Sequence, residues 1–228
     1  MKYKYLFIDL DNTILDFHKA EYFALGKTLS HFGLEPTDYV RSRYSVINRA
    51  HWDMLERMEI TRDQVLTGRY EVLLKEFCLD VNPVECARFY EHCIAYDDHY
   101  FLPGAGEALA ALSKDYRLFL ASNGTAEMQH GKLKNLGITA LFDKLFISEE
   151  LGVDKPDARF FQRAFAQIDG FDPKYALMVG DSLVADIKGG IDAGIDTCWI
   201  NPEGKSGNLQ PTYTLAQLSQ LPALLKSL

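Results

Sequence analysis

The sequence predicts an α/β protein built on a doubly wound parallel sheet, with an all-helical module inserted after the first strand. Two observations carry this expectation. Short apolar runs recur along the chain without the in-out alternation of a one-sided sheet, and segments of helical spacing separate them. One long interval near the N-terminus breaks that alternation and shows helical periodicity only.

The first run, Tyr5 to Ile8, reads as a strand buried on both faces. From about Phe17 to His99 no strand pattern is found. Tyr22, Leu25, Leu29 and Phe32 share one helical face, as do Leu66, Tyr70, Leu73 and Phe77. The Leu102-Pro103-Gly104 turn punctuates the return to alternating structure. Strands then follow at Arg117 to Ala121, Leu145 to Ile147, Ala176 to Val179 and Thr197 to Ile200. Helical segments lie between them, from Thr125 to Leu136 and from Asp157 to Ile168. This order is Rossmann-like. The expected division is a core of residues 1–16 and 100–228 and a helical domain of residues 17–99, and a chain of 228 residues has room for both.

Composition narrows the function. Hydrophobic residues make up 47% and charged residues 25%, so the chain is expected to fold throughout. A net charge of −8 with no basic stretch argues against a nucleic-acid polymer. It leaves room for a small phosphorylated metabolite, because one metal ion and one lysine can set a local potential against the global charge. The N-terminal apolar run is too short for a signal peptide or a membrane span, so a cytoplasmic protein with no membrane partner is expected. The cysteines form no CxxC pair and read as buried apolar thiols, with Cys86 and Cys93 on one helical face.

Three expected strands end in polar clusters: Asp9-Leu10-Asp11-Asn12-Thr13, Ser122-Asn123-Gly124, and Gly180-Asp181-Ser182 with Asp186 beyond it. Ligands of open parallel sheets bind at the carboxyl ends of the strands, so these clusters should converge. Asp9 and Asp11 alone could form an ordinary capping turn. Convergence with Asp181 and Asp186 changes that balance, since gathered carboxylates repel unless a cation lies between them. A hard, oxygen-ligated ion, Mg²⁺, resolves the conflict. Lys155-Pro156 is expected at a loop–helix junction, with Pro156 in the first turn of the following helix. An isolated lysine is most often a solvated surface group, but beside a carboxylate and metal centre it suits a phosphate.

In this order, DLDNT, a serine after an apolar strand, KP and GDSLVAD resemble the four motifs of the haloacid dehalogenase superfamily, across the core from Asp9 to Asp186. The resemblance implies a phosphatase in which Asp9 attacks phosphorus and becomes an aspartyl phosphate. It implies that Asp11 acts as acid and then as base, and that Ser122 and Lys155 bind phosphoryl oxygens. It further implies Mg²⁺ ligation by Asp9, Asp11 through its carbonyl, and Asp181, with Asp186 acting through a water or on Lys155. Asn123 and Thr13 are expected beside the substrate. True dehalogenases lack the second aspartate, so Asp11 favours phosphate esters over halide displacement.

The helical insertion resembles the family's cap, which closes over the site and supplies specificity. The stretches LFISEELGVDKPDARFF and ALMVGDSLVADIKGGIDAGIDTCWIN look most like a bacterial branch of pyrimidine 5′-nucleotidases. A nucleoside base would need a flat apolar surface, for which Trp52, Tyr44 and Tyr70 are candidates, although aromatic residues between helices are more often packing. His51, His92 and His99 show no metal-ligand spacing. The alternatives are a broad sugar-phosphate or phosphoglycolate phosphatase, a haloacid dehalogenase, or a catalytically idle binding module. A monomer or a homodimer fits equally.

Overall fold

The computed structural model describes residues 2–228. Two compact units form, one of Met1–Phe17 with His99–Leu228 and one of His18–Asp98.

The first unit is built on six parallel strands: β1 (Tyr5–Ile8), β2 (Arg117–Ser122), β3 (Lys144–Ile147), β4 (Ala176–Gly180), β5 (Asp196–Ile200) and β6 (Tyr213–Leu215). Their order across the sheet is β3-β2-β1-β4-β5-β6. Chain connections run outward from β1 on both sides, so the sheet is doubly wound as expected. Every residue of β1 is buried, which is why its sequence is a continuous apolar run rather than an alternating one. Successive side chains still separate by face. Leu6, Ile8, Leu118, Leu120, Leu177 and Val179 join one core with Ala105, Leu109, Leu133 and Leu221. Phe7, Phe119, Phe146 and Met178 join the other with Phe160, Phe161 and Ala164.

The first core lies against helices α5 (Ala105–Leu112), α6 (Ala126–Asn135) and α10 (Leu221–Lys226). The second lies against α8 (Ala158–Phe165). Phe7 stacks on Phe119 at 5.1 Å between ring centroids. Loss of such a buried ring costs about 3–5 kcal/mol, so this pair anchors the strands that carry the site. Short helices α7 (Ser148–Leu151) and α9 (Gly189–Asp192) complete the unit, the latter continuing a π-helical turn at Leu183–Lys188.

The second unit consists of α1 (Phe17–His31), α2 (Asp38–Glu56), α3 (Arg62–Glu76) and α4 (Pro83–Tyr96), α1 beginning one residue before the unit's boundary. Sequence signals set the starts. Thr37 caps α2, Thr61 and Gln64 form a capping box on α3, and Asn82 caps α4 ahead of Pro83. Inside the bundle the buried Arg69 guanidinium lies 5.3 Å from the Tyr70 ring and 4.8 Å from Tyr90, and Arg69 Nη1 donates to Asn48 Oδ1 at 2.8 Å. Asn48 in turn donates to Glu21.

Four expectations need correction here. Tyr44 and Tyr70 are each 1% exposed, with rings 5.7 Å apart inside the bundle, so they are packing residues and not a surface for a base. Tyr22 is half exposed, because the apolar face of α1 is carried by Ala24, Leu25 and Leu29. Cys78 is exposed rather than buried, since it follows the end of α3 in a left-handed turn. Pro156 precedes the helix: α8 starts at Ala158, and Asp157 caps it by accepting from the Arg159 amide. The third strand of the turn-rich C-terminal part, β6, was not signalled at all; it is three residues long and half exposed.

Candidate active site

The three polar clusters meet where they were expected, beyond the carboxyl ends of β1, β2 and β4. The Asp9 amide donates to the Val179 carbonyl at 2.9 Å, so the ladder between β1 and β4 continues to the first carboxylate. Asn12 then adopts a left-handed conformation (φ 60°), and its amide donates to the Leu15 carbonyl at 2.7 Å. That tight turn is suited to Asn, which tolerates positive φ better than most residues.

Lys155 lies at the centre of the cluster, although it is the residue type least often found inside a protein. It is 1% exposed, and its Nζ donates to Asp9 Oδ1 at 2.9 Å, Asp186 Oδ1 at 2.5 Å and the Ala121 carbonyl at 2.6 Å. Burial disfavours the ammonium, but the Asp186 and Asp9 carboxylates outweigh it and hold the group above the usual lysine value. Asn123 fixes the backbone: its Nδ2 donates to the Lys155 carbonyl and its Oδ1 accepts from the Lys155 amide, both at 2.8 Å.

Asp9, Asp181 and Asp186 each bring a carboxylate oxygen to within 4.8 Å of the others. Burial raises the Asp9 carboxyl to about 7, with Lys155 opposing the shift and Asp186 and Asp11 adding to it. Burial and the charges of Asp9 and Asp186 likewise push Asp181 well above the usual carboxylate range. One lysine therefore does not balance the gathered negative charge. A set of hard oxygen donors under mutual repulsion fits Mg²⁺, which takes carboxylates and retains waters. Two further contacts shape this side of the site. Ser182 donates its amide to Asp186 Oδ2 at 3.0 Å, and Trp199 Nε1 donates to the Asp181 carbonyl at 2.8 Å. Gly180 is required for a steric reason, since a Cβ there would stand 2.1 Å from Asp186 Oδ2.

Asp11 has partners that the sequence reading missed. Lys132 Nζ lies 2.8 Å from its Oδ1 and 2.7 Å from its Oδ2, and Gln129 Nε2 donates to Oδ2 at 3.1 Å and to Ser122 Oγ at 2.8 Å. Both residues come from α6, one turn apart, in the helix that Thr125 caps after the Ser122-Asn123-Gly124 stretch. Their shared helical face can be read from the sequence, but nothing in the sequence says that this face turns towards Asp11.

The remaining candidates are less engaged. Thr13 is fully buried, and its hydroxyl has no hydrogen-bond partner among the described residues. Trp52 is half-buried on α2, in the helical unit. His51 is tied by Nδ1 to the Ile47 carbonyl at 2.8 Å, a contact within its own helix.

Known proteins bear on this geometry. A profile of haloacid dehalogenase-like hydrolases matches residues 3–194. The pyrimidine 5′-nucleotidase PynA of Streptococcus pneumoniae is 38% identical, covering 97% of this chain and 94% of its own length. The pyrimidine 5′-nucleotidase YjjG of Escherichia coli is 32% identical, covering 99% of each. The solved structure of the HAD-hydrolase YfnB from Bacillus subtilis, bound to magnesium, superposes with a TM-score of 0.94 at 33% identity, covering 99% of both chains. Among the described residues, no helix is long and apolar enough to cross a membrane.

Proposed function

The chain belongs to the haloacid dehalogenase-like hydrolases, and from that premise we propose that it is a magnesium-dependent phosphatase of small phosphate monoesters, pyrimidine nucleoside 5′-monophosphates foremost. The observation that carries this reading is the cluster of buried Asp9 and Asp186 and half-buried Asp181 around Lys155, with Asp11 beside it. It gathers a nucleophile, a cation site and a proton carrier at one end of the sheet.

Asp9, the Asp11 carbonyl and Asp181 are the residues that would hold Mg²⁺, with Asp186 steadying Lys155 and closing the set. When bound, the ion neutralises phosphoryl oxygen charge. Asp9 uses a carboxylate oxygen to form a bond to phosphorus as the ester oxygen departs, and Asp11 gives that oxygen its proton. Asp11, now ionised, then takes a proton from water, which attacks the aspartyl phosphate and returns Asp9 to its carboxylate form. Ser122 Oγ and Lys155 Nζ hold phosphoryl oxygens through both displacements. Asn123, whose amide is committed to the Lys155 backbone, positions that lysine rather than touching substrate. Thr13 lines the same turn. Residues 17–99 act as a cap, and Trp52 is the base-facing candidate left once Tyr44 and Tyr70 are assigned to the bundle interior.

The relatives' activities support the nucleotide preference, and Asp11 supports ester hydrolysis over halide displacement. A panel of phosphorylated metabolites in the presence of Mg²⁺ tests both. Pyrimidine 5′-monophosphates should rank highest in kcat/KM. A higher rank for sugar phosphates or phosphoglycolate overturns the nucleotide assignment, and turnover of 2-haloacids without phosphate release overturns the phosphatase assignment.

A further inference from the structure

Asp11 is held by a two-residue clamp whose cost to the fold is hard to explain by packing. Lys132 is 1% exposed, and its ammonium group meets both Asp11 oxygens and the face of the Phe17 ring, 4.7 Å from its centroid. Lysine is rarely buried without a partner, and here the partner is the side chain that must carry a proton. Gln129 adds a second tie, because one amide nitrogen bridges Asp11 Oδ2 and Ser122 Oγ. Space for that bridge is reserved in the backbone. A Cβ at position 124 would lie 2.4 Å from Gln129 Nε2, so the glycine of Ser122-Asn123-Gly124 admits the amide. Two residues on one helical face thus bind the proposed acid and base to the proposed phosphoryl-binding hydroxyl.

We propose that Lys132 and Gln129 are positioning residues that fix the Asp11 carboxyl group relative to Ser122, so that it meets the leaving-group oxygen of the substrate. The inference rests on the role of Asp11 given above. An aspartate free to change rotamer would face the leaving oxygen only part of the time, and misplacement by about 1 Å can cost roughly 10²-fold in rate. The clamp therefore matters where proton donation matters. A nucleoside 5′-oxygen leaves as a basic alkoxide and needs the proton, whereas p-nitrophenolate leaves without one.

The test compares kcat/KM for uridine 5′-monophosphate and p-nitrophenyl phosphate, with Mg²⁺, in wild type, Asp11→Asn, Lys132→Met, Lys132→Arg and Gln129→Met. Because kcat/KM reports only the steps up to departure of the alcohol, it isolates the donated proton. Lys132→Met should lose about 10²-fold with the nucleotide and less than roughly threefold with p-nitrophenyl phosphate. Lys132→Arg should recover part of the nucleotide activity by restoring the ion pair. Gln129→Met should show the same substrate dependence at about tenfold, and it carries the test if Lys132→Met does not fold. Equal losses on both substrates, or no loss, in a variant that melts cooperatively would overturn the inference while leaving Asp11 in its role. If Asp11→Asn itself shows no leaving-group dependence, or wild type releases phosphate from neither substrate, the reading of Asp11 fails and the inference falls with it.

Discussion

A single methyl group added at Gly180 should disable the site without altering any charged residue. In Gly180→Ala the new Cβ would stand 2.1 Å from Asp186 Oδ2 and 2.3 Å from Asp186 Cγ, where ordinary contact begins at 3.4 Å. The Asp186 carboxylate has to retreat by more than about 1 Å, beyond the reach of a hydrogen bond. Two contacts go with it, the 2.5 Å ion pair with Lys155 and the 3.0 Å bond from the Ser182 amide. Overpacking costs about 1–3 kcal/mol and each of the two lost hydrogen bonds to a charged group about 1.5–3 kcal/mol, so a loss of roughly 4–9 kcal/mol is expected. At about 2–4 °C per kcal/mol for a chain of this size, Tm should fall by roughly 8–36 °C. Differential scanning calorimetry measures that fall, and a magnesium titration on the folded variant should reveal weakened binding and loss of phosphatase turnover. A variant that melts within about 2 °C of wild type and keeps full turnover would refute the steric reasoning.

Three further outcomes follow from the same cluster. Mg²⁺ at about 100 times its Kd should stabilise the protein by about 2.7 kcal/mol, visible as a Tm rise of roughly 5–11 °C that EDTA reverses. At one fixed Mg²⁺ concentration the rise should be larger near about pH 8 than about pH 5.5, because Kd is smaller at the higher pH. The Asp9 carboxyl is raised from 3.8 to about 7, so the metal-free fold loses stability as pH climbs between those values, and at low pH the ion must displace a proton. A pH-independent rise contradicts the assignment. Asp9→Asn should fold and bind substrate yet lose turnover by at least about 10³-fold, because an amide is a very poor nucleophile; retention of a tenth of the activity rejects Asp9 as the attacking group. Trp52→Ala should raise KM for a pyrimidine nucleotide more than for p-nitrophenyl phosphate, by the equivalent of about 1–3 kcal/mol of stacking, and equal effects assign Trp52 to packing.

The sheet and the principal carboxylates are legible in the sequence because both depend on local rules. A strand buried on two faces must be continuously apolar, so Tyr5–Ile8 and Ala176–Gly180 stand out, and the polar residue that ends such a run is placed by topology alone. Lys155 is legible only in company, since the surroundings that bury it come from β1, β2 and the turn after β4, far apart in the chain. Lys132 and Gln129 are hidden for the opposite reason. On a helix they look like ordinary polar surface, and only the tertiary approach of Asp11 turns that face inward. Tyr44 and Tyr70 mislead because aromatic residues at helical spacing serve a bundle interior and a binding face equally well, and here buried Arg69 draws them inward. β6 escapes notice because a three-residue edge strand needs no apolar run.

The covalent route through Asp9 is tested most directly by mixing Asp11→Asn with p-nitrophenyl phosphate and Mg²⁺, and following both the chromophore and the mass of the acid-quenched protein. The p-nitrophenolate leaving group needs no proton, so the first displacement should proceed, while the second lacks its base and should stall. The account predicts a burst of p-nitrophenol near one equivalent per enzyme, followed by a slow steady state. It also predicts one phosphoryl group on the intact chain, located at Asp9 and released by hydroxylamine. A linear time course with no phosphorylated protein, from a variant shown to be folded and to bind Mg²⁺, would contradict it.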